Sequence, residues 1–205
     1  MRKIFESESA WLIAPYAAWM VLMMCLPSAP WAYSVRTAVT LALLTVSYFV
    51  FRKISTPQFF IFHFSFFTSL LSGIAIGVAV LFIWIAPDQF EWYRKFCVIG
   101  DPYANAKALP LDSAFTWIQL FGSACVISAA EELFFRKWLI RYAGFAWMVA
   151  LFAIEHNRPV VAAVCGVLYG ILYLKKGLLA AIVAHATTNL TLGLFVIHYN
   201  RWEFW

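Results

Sequence analysis

Four ionisable side chains occur inside apolar stretches in the second half of this chain, at spacings that suit hydrolytic chemistry. Glu131 and Glu132 are adjacent, His156 ends a second apolar run, and His185 lies within a third. A carboxylate beside an imidazole can take a proton from water, and a second imidazole with an amide can stabilise a developing oxyanion. No serine or cysteine sits in an evident nucleophile arrangement. The residue types therefore predict amide hydrolysis by a base-activated water.

Helical spacing gives each of these side chains a partner on its own helix face. Glu132 and Arg136 are four residues apart, and an ion pair between them would hold Glu132 ionised. Glu131 points about 100° away around the helix and is left freer, as one member of an unequal carboxylate pair. The same four-residue spacing recurs in two later pairs, Phe152 with His156 and His185 with Asn189.

These pairs predict a different role for each residue. We expect Glu131 to be the base and His156 to help hold the water. His185 and Asn189 would polarise the scissile carbonyl, while Glu132 and Arg136 set the electrostatics around the base. A further expectation lies outside this set: Glu155 should pair with Arg158, three residues later, as an interfacial contact.

The composition indicates a membrane protein. Of 205 residues, 64% are apolar and 12% are charged, against roughly 45–50% and about 25% in soluble domains. The mean hydropathy of +0.80 leaves too few polar residues to cover a soluble globule. Although the net charge is +5, the basic residues stand in pairs between apolar stretches. That arrangement argues against a nucleic-acid partner and for the lipid bilayer.

The apolar runs predict an all-α, polytopic bundle with about seven transmembrane spans, each needing about 20 residues. The expected spans are 10–27, 33–51, 59–86, 113–136, 144–157, 159–174 and 178–198. No repeat or long linker divides the chain, so residues 1–205 are expected to form one integral membrane domain, with the motif-bearing core at about 113–198. The first run is not followed by a clean cleavage pattern, and we expect it to be retained.

The distribution of basic residues predicts the orientation. With a cytoplasmic N-terminus, nine of the 15 Lys and Arg residues fall on the inner side, several of them as tight pairs in short loops. This bias favours a prokaryotic inner membrane with the N-terminus in the cytoplasm. The one long polar segment, at about 87–112, would then lie on the outer surface, and its aromatic residues predict an interfacial connector.

The predicted depths of the candidate residues agree. The inner ends of the relevant spans are marked by Arg141, Gly144 and Gly177. At a rise of 1.5 Å per residue, Glu131, His156 and His185 lie about 15, 18 and 12 Å from that boundary. Three helices thus bring a carboxylate and two imidazoles to a similar level, although this depth favours the cytoplasmic half for Glu131 and His185.

The motifs at these positions resemble those of the CAAX protease and bacteriocin-processing family. Residues 131–136 read EELFFR and match its EExxxR motif, 152–156 match FxxxH, and 185–189 match HxxxN, in the family's order. The family consists of intramembrane glutamic proteases, including the eukaryotic CAAX prenyl endopeptidases. The resemblance covers about 125–195. It implies a peptidase that uses no metal or other cofactor, with Glu131 as its base.

The segment RWEFW, with the helices before it, resembles the branch of that family associated with exosortase and PEP-CTERM systems. This resemblance implies a membrane-anchored protein or peptide as substrate, cut near its C-terminus, and an exosortase-type sorting system as a partner.

Three other readings of the same residues remain open. Glu131, His156 and His185 could be three ligands of a zinc metallopeptidase, although no HExxH motif is present. Intramembrane carboxylates and histidines also build proton-coupled transporters, although neither a paired repeat nor a broken helix is evident. The chain could also be a scaffold or chaperone for another membrane enzyme.

Overall fold

The protein is an all-α polytopic bundle, as its composition predicts. The computed structural model describes residues 8–54, 64–100, 108–111 and 113–204, and no strand occurs among them. The helices are α1 (Glu8–Cys25), α2 (Pro30–Ile54), α3 (Phe64–Ile85), α4 (Glu91–Cys97), α5 (Ala114–Ala143), α6 (Phe145–Ile154), α7 (Pro159–Lys176) and α8 (Leu178–Tyr199).

Six helices in the described part of the chain are long and apolar enough to cross a membrane. The expected span over 144–157 is corrected, because α6 has only ten residues. Ten residues rise about 15 Å, roughly half of the hydrocarbon core. The helix ends at Ile154, and Pro159 begins α7 after a short turn. The predicted fourth span also extends further, to Ala143.

Contacts between helix termini define two ends of the bundle. At one end, the Ser9 hydroxyl lies 3.2 Å from the Tyr142 hydroxyl, and the Ser69 hydroxyl donates to the carbonyl oxygen of Lys176. We call this the basic end, because Arg141 and Lys176 lie there.

The opposite end carries the connection between α3 and α5, and we call it the loop end. A single 3-10 turn, Ala86–Gln89, leads into α4, and the Ile99 amide donates to the carbonyl oxygen of Asn157 at 2.7 Å. Exposed aromatic side chains in this connection, Phe90, Trp92 and Phe96, suit the predicted interfacial position. Residues 101–107 and 112 of the expected 87–112 connector lie outside the described residues.

Helix α5 departs from regular α geometry on both sides of the paired glutamates. Two π-helical stretches, Gly122–Ile127 and Leu133–Leu139, flank the α-helical turn Ser128–Glu132. Such widened turns occur preferentially at functional sites. Here they bracket the segment that carries both carboxylates.

Close packing of α8 against α3 and α7 holds the histidine of α8 in the centre of the bundle. A Cβ atom at Gly77 would lie 2.5 Å from the carbonyl oxygen of Ala184. The Thr188 hydroxyl reaches the carbonyl oxygen of Gly77 at 2.9 Å and receives a hydrogen bond from Tyr169 at 2.7 Å. This backbone approach depends on the small residues expected at helix contacts in lipid.

Replacement of Gly77 by alanine should therefore destabilise the protein. The new methyl group would meet the backbone and Thr187, neither of which can yield easily, and overpacking of this kind costs about 1–3 kcal/mol. We expect a lower midpoint of thermal unfolding in detergent for Gly77→Ala. Ala79→Leu, on the exposed face of the same helix, is the control. An unchanged midpoint for Gly77→Ala would contradict this packing.

Candidate active site

A cavity of about 220 Å³ lies inside the bundle and reaches from the motif residues toward the loop end. Its walls are contributed by five helices and by the segment after α8. The lining residues are Trp84, Ser123, Glu131, Phe152, His156, Asn157, Cys165, Tyr169, His185, Thr188, Asn189, Leu192 and Phe204. All four residues expected to act on the substrate, from α5, α8 and the turn after α6, are therefore brought to one space.

Glu131 lines this cavity, and one of its carboxylate oxygens, Oε2, accepts no hydrogen bond from the described residues. Its side chain is 12% exposed, and Oε2 lies 3.7 Å from Nε2 of His185. The distance is too long for a direct hydrogen bond, so the two groups are neighbours that are not bonded to each other. The predicted meeting of carboxylate and imidazole is present.

Glu132 is fully buried and is engaged on two sides. Its Oε2 lies 3.1 Å from Nε of Arg136, as the four-residue spacing predicts, although the two groups are not aligned as a hydrogen bond. Its Oε1 lies 2.9 Å from Nδ1 of His185. Because a carboxylate accepts, the Nδ1 proton of His185 points to Glu132 and Nε2 is directed to the Glu131 side. The sequence did not reveal this second contact.

Arg136 is buried without hydrogen-bond partners for its two terminal nitrogens among the described residues. The guanidinium instead lies 4.3 Å from the ring centroid of Phe152 and 5.5 Å from that of Tyr169. Aromatic faces attract a cation most strongly where water is excluded. Phe152, four residues before His156, therefore has a physical role as the platform on which Arg136 rests.

His156 also lines the cavity, in the turn that follows the short helix α6. Its Nδ1 is 2.7 Å from the carbonyl oxygen of Phe152 and must donate to it. That bond fixes the tautomer and leaves Nε2 for the cavity. The imidazole also packs edge-on against Trp84, with ring centroids 5.6 Å apart.

Asn189 is at the cavity but is already engaged. Its amide nitrogen donates to the carbonyl oxygen of Ser123 at 2.9 Å and to the hydroxyl of Ser128 at 3.1 Å. Both amide hydrogens are thus used, and in this arrangement Asn189 holds the π-helical stretch of α5 against α8. Its expected action on a scissile carbonyl requires the side chain to turn.

One protein-family model matches the segment of the chain that forms this site. Residues 113–191 match the family model of the type II CAAX prenyl endopeptidases, Rce1-like. The resemblance predicted from the three motifs is confirmed over these residues, and the match favours a membrane protease over the transporter and scaffold readings. No curated protein gives a match, and no solved structure does either.

One expected contact of the Rce1-like segment is wrong. Glu155 does not pair with Arg158, which instead binds Asp88 on α3's terminal turn at 3.3 Å. The carboxylate of Glu155 accepts a hydrogen bond from the phenol of Tyr16 on α1. The three-residue spacing would allow Glu155 to reach Arg158, but the Arg158 guanidinium binds the buried carboxylate of Asp88 instead.

Glu155 is a residue of the site that the sequence reasoning missed. The nearest ligand atoms of Glu131, Glu155 and His156 all lie within 4.8 Å of one another, and this group of three could hold a metal ion. The set differs from the predicted zinc ligands, since Glu155 replaces His185. The sequence feature that could have identified Glu155 is its carboxylate directly beside His156 within an apolar run.

The burial of Glu132 and Arg136 predicts a characteristic pattern of stability. Glu132→Gln leaves the Arg136 cation buried without a counter-charge, and loss of one partner of a buried pair costs about 3–5 kcal/mol. The double variant Glu132→Gln with Arg136→Met removes both charges, so it should be more stable than the single variant. Thermal unfolding in detergent measures both. A double variant no more stable than Glu132→Gln would show that the buried cation is not the cause.

Proposed function

We propose that this protein is an intramembrane endopeptidase that hydrolyses a peptide bond of a membrane-associated substrate with a water activated by Glu131. The observation that carries the proposal is the position of Glu131 at the wall of the cavity, where its Oε2 lies 3.7 Å from Nε2 of His185 and accepts no hydrogen bond from the described residues. The match of residues 113–191 to a protease family supports the same reaction class.

In this mechanism, Glu131 takes a proton from a water molecule that His156 helps to hold. The hydroxide oxygen bonds to the carbonyl carbon, the carbon–nitrogen bond then breaks, and Glu131 returns the proton to the leaving amine. His185, with its Nδ1 proton fixed on Glu132, donates from Nε2 to the oxyanion when it is doubly protonated. Asn189 contributes a second donor only after releasing Ser123 or Ser128.

The two adjacent glutamates therefore receive different roles from their surroundings. Glu132 is occupied by Arg136 and His185, whereas Glu131 faces the cavity. We assign Glu132 and Arg136 as positioning residues, and Phe152 as the aromatic support of Arg136. This assignment requires no metal ion or organic cofactor.

The substrate we propose is a membrane-anchored protein or peptide, cut near its C-terminus. The cavity is bordered at the loop end by Asn157 and Phe204. Positive-inside counting places the loop end on the outer side of a prokaryotic inner membrane. Access from that side would suit the processing of exported proteins and an exosortase-type sorting system. A cavity reached from the outer side is compatible with a Glu131 that lies in the cytoplasmic half of the membrane.

Glu131→Gln should abolish processing, because glutamine cannot accept the proton of water. General-base removal costs about 10²–10⁴-fold in rate. In cells that lack the gene, wild type and Glu131→Gln would be restored, and new C-terminal peptides of membrane proteins quantified by mass spectrometry. Glu91→Gln changes an exposed acid outside the cavity and is the control. Equal peptide yields from wild type and Glu131→Gln would refute the mechanism.

The link to sorting has its own test. If the protein cuts sorting tails, candidate C-terminal tails should remain attached in the deletion strain and be cleaved again when wild type is restored. Full processing of these tails in the deletion strain would count against this substrate while leaving the peptidase reaction untouched.

A zinc metallopeptidase is the second candidate, supported by the proximity of Glu131, Glu155 and His156. Carboxylate and imidazole are ligands that zinc accepts, with water in an open position. The glutamic mechanism predicts that purified protein keeps its activity in chelators and contains no stoichiometric zinc. Stoichiometric zinc that falls in Glu155→Gln, together with activity lost to chelators, would decide for the metal.

A further inference from the structure

A buried ion pair outside the reaction chemistry ties the loop end of the bundle together. Asp88, after α3, is 2% exposed, and Arg158, before α7, is 1% exposed. Nη2 of Arg158 lies 3.3 Å from Oδ1 of Asp88. Burial of two charges is expensive unless they are paired and further bonded. Further contacts of this buried pair are therefore expected.

The pair holds the segment 201–204, which follows α8. Nη1 of Arg158 donates to the carbonyl oxygen of Glu203 at 3.2 Å, and its guanidinium lies 4.6 Å from the ring centroid of Phe204. Arg201 lies 3.8 Å from the other carboxylate oxygen of Asp88 and 5.2 Å from the same ring. Phe204 is thus fixed between two guanidinium groups.

The chain turns sharply to reach this position. Asn200 ends α8 in the left-handed conformation, with φ of 56°. Its side-chain oxygen accepts from the Trp202 indole at 2.6 Å. Trp202 and Phe204 are both buried against the end of α8. The segment is therefore packed into the bundle at a defined place.

That place lies between two concave spaces. Phe204 lines the catalytic cavity. Arg201 and Glu203, one and three residues before it, line an open concavity on the loop end. The other residues of that concavity are Glu91, Arg94, Lys95, Val98 and Gly100. Residues of the segment 201–204 therefore line both the open concavity and the space that contains Glu131.

The volume of the cavity that Phe204 lines limits what the cavity can hold. The cavity holds about 220 Å³, whereas ligand pockets measure roughly 300–1,000 Å³. With Phe204 in place, the cavity is smaller than a typical ligand pocket. Removal of the Phe204 ring would enlarge it toward the loop end.

We propose that Phe204, held by Asp88 and Arg158, is a specificity-determining residue that closes the catalytic cavity toward the loop end. It admits small side chains to Glu131 and excludes bulky ones. The statement about substrates rests on the proposed function, but the closure itself does not. Polypeptides with small residues at the cleaved bond are the substrate class that this geometry favours.

Cys165 offers a readout of access that needs no substrate, since it lines the cavity and is 2% exposed. The other cysteines, Cys25, Cys97 and Cys125, would be replaced by serine in the full-length protein. Labelling of Cys165 by N-ethylmaleimide and by a bulky biotin-maleimide would then be timed in detergent. Phe204→Ala should accelerate the bulky reagent at least tenfold and the small reagent much less.

Two further variants keep the result interpretable. Phe195→Ala removes a neighbouring ring, 6.2 Å from Phe204, that does not line the cavity, and it should leave labelling unchanged. Asp88→Asn with Arg158→Met removes both buried charges at once and should mimic Phe204→Ala by releasing the segment.

The proposal is overturned if the bulky reagent reacts equally slowly, or not at all, before and after Phe204→Ala. It is also overturned if Phe195→Ala accelerates the reagent as much. Failure of the proposed function looks different: Phe204→Ala would open Cys165 to the reagent while Glu131→Gln left the cellular peptides unchanged.

Discussion

A charge inside a membrane bundle must find an opposite charge within the protein, and Glu132 and Arg136 provide this for each other. Glu132 binds Arg136 along its own helix and His185 across to α8. Arg136 in turn rests on the ring of Phe152 from α6. Three helices are joined by one buried carboxylate and one buried guanidinium. Because lipid supplies no alternative partners, moving any of these helices would strand a charge.

The same cluster explains how neighbouring glutamates can differ. With Glu132 committed to two partners, Glu131 is the carboxylate left to face the cavity. Two π-helical stretches widen α5 on either side of this pair, and the half-length helix α6 ends at the depth of the cavity. These departures from regular helices occur in the segments that line the cavity.

The loop end is held together by a second buried ion pair. There the buried pair of Asp88 and Arg158 serves no reacting atom and secures the segment that contains Phe204. The two buried ion pairs thus lie at different places: Glu132 and Arg136 lie beside Glu131 and His185, and Asp88 and Arg158 lie at the loop end. The proposed closure of the cavity and the proposed chemistry within it therefore depend on different residues, which variants can separate.

The sequence by itself determined the all-α membrane bundle, the meeting of three motifs, and the pairing of Glu132 with Arg136. Apolar runs and four-residue spacing are local properties that a helix converts directly into position. Only the tertiary structure decided that Glu155 binds Tyr16, that Asn189 is held by α5, and that Phe204 borders the cavity. These contacts join segments far apart in the chain, and competition among buried donors and acceptors selects them after the helices have packed.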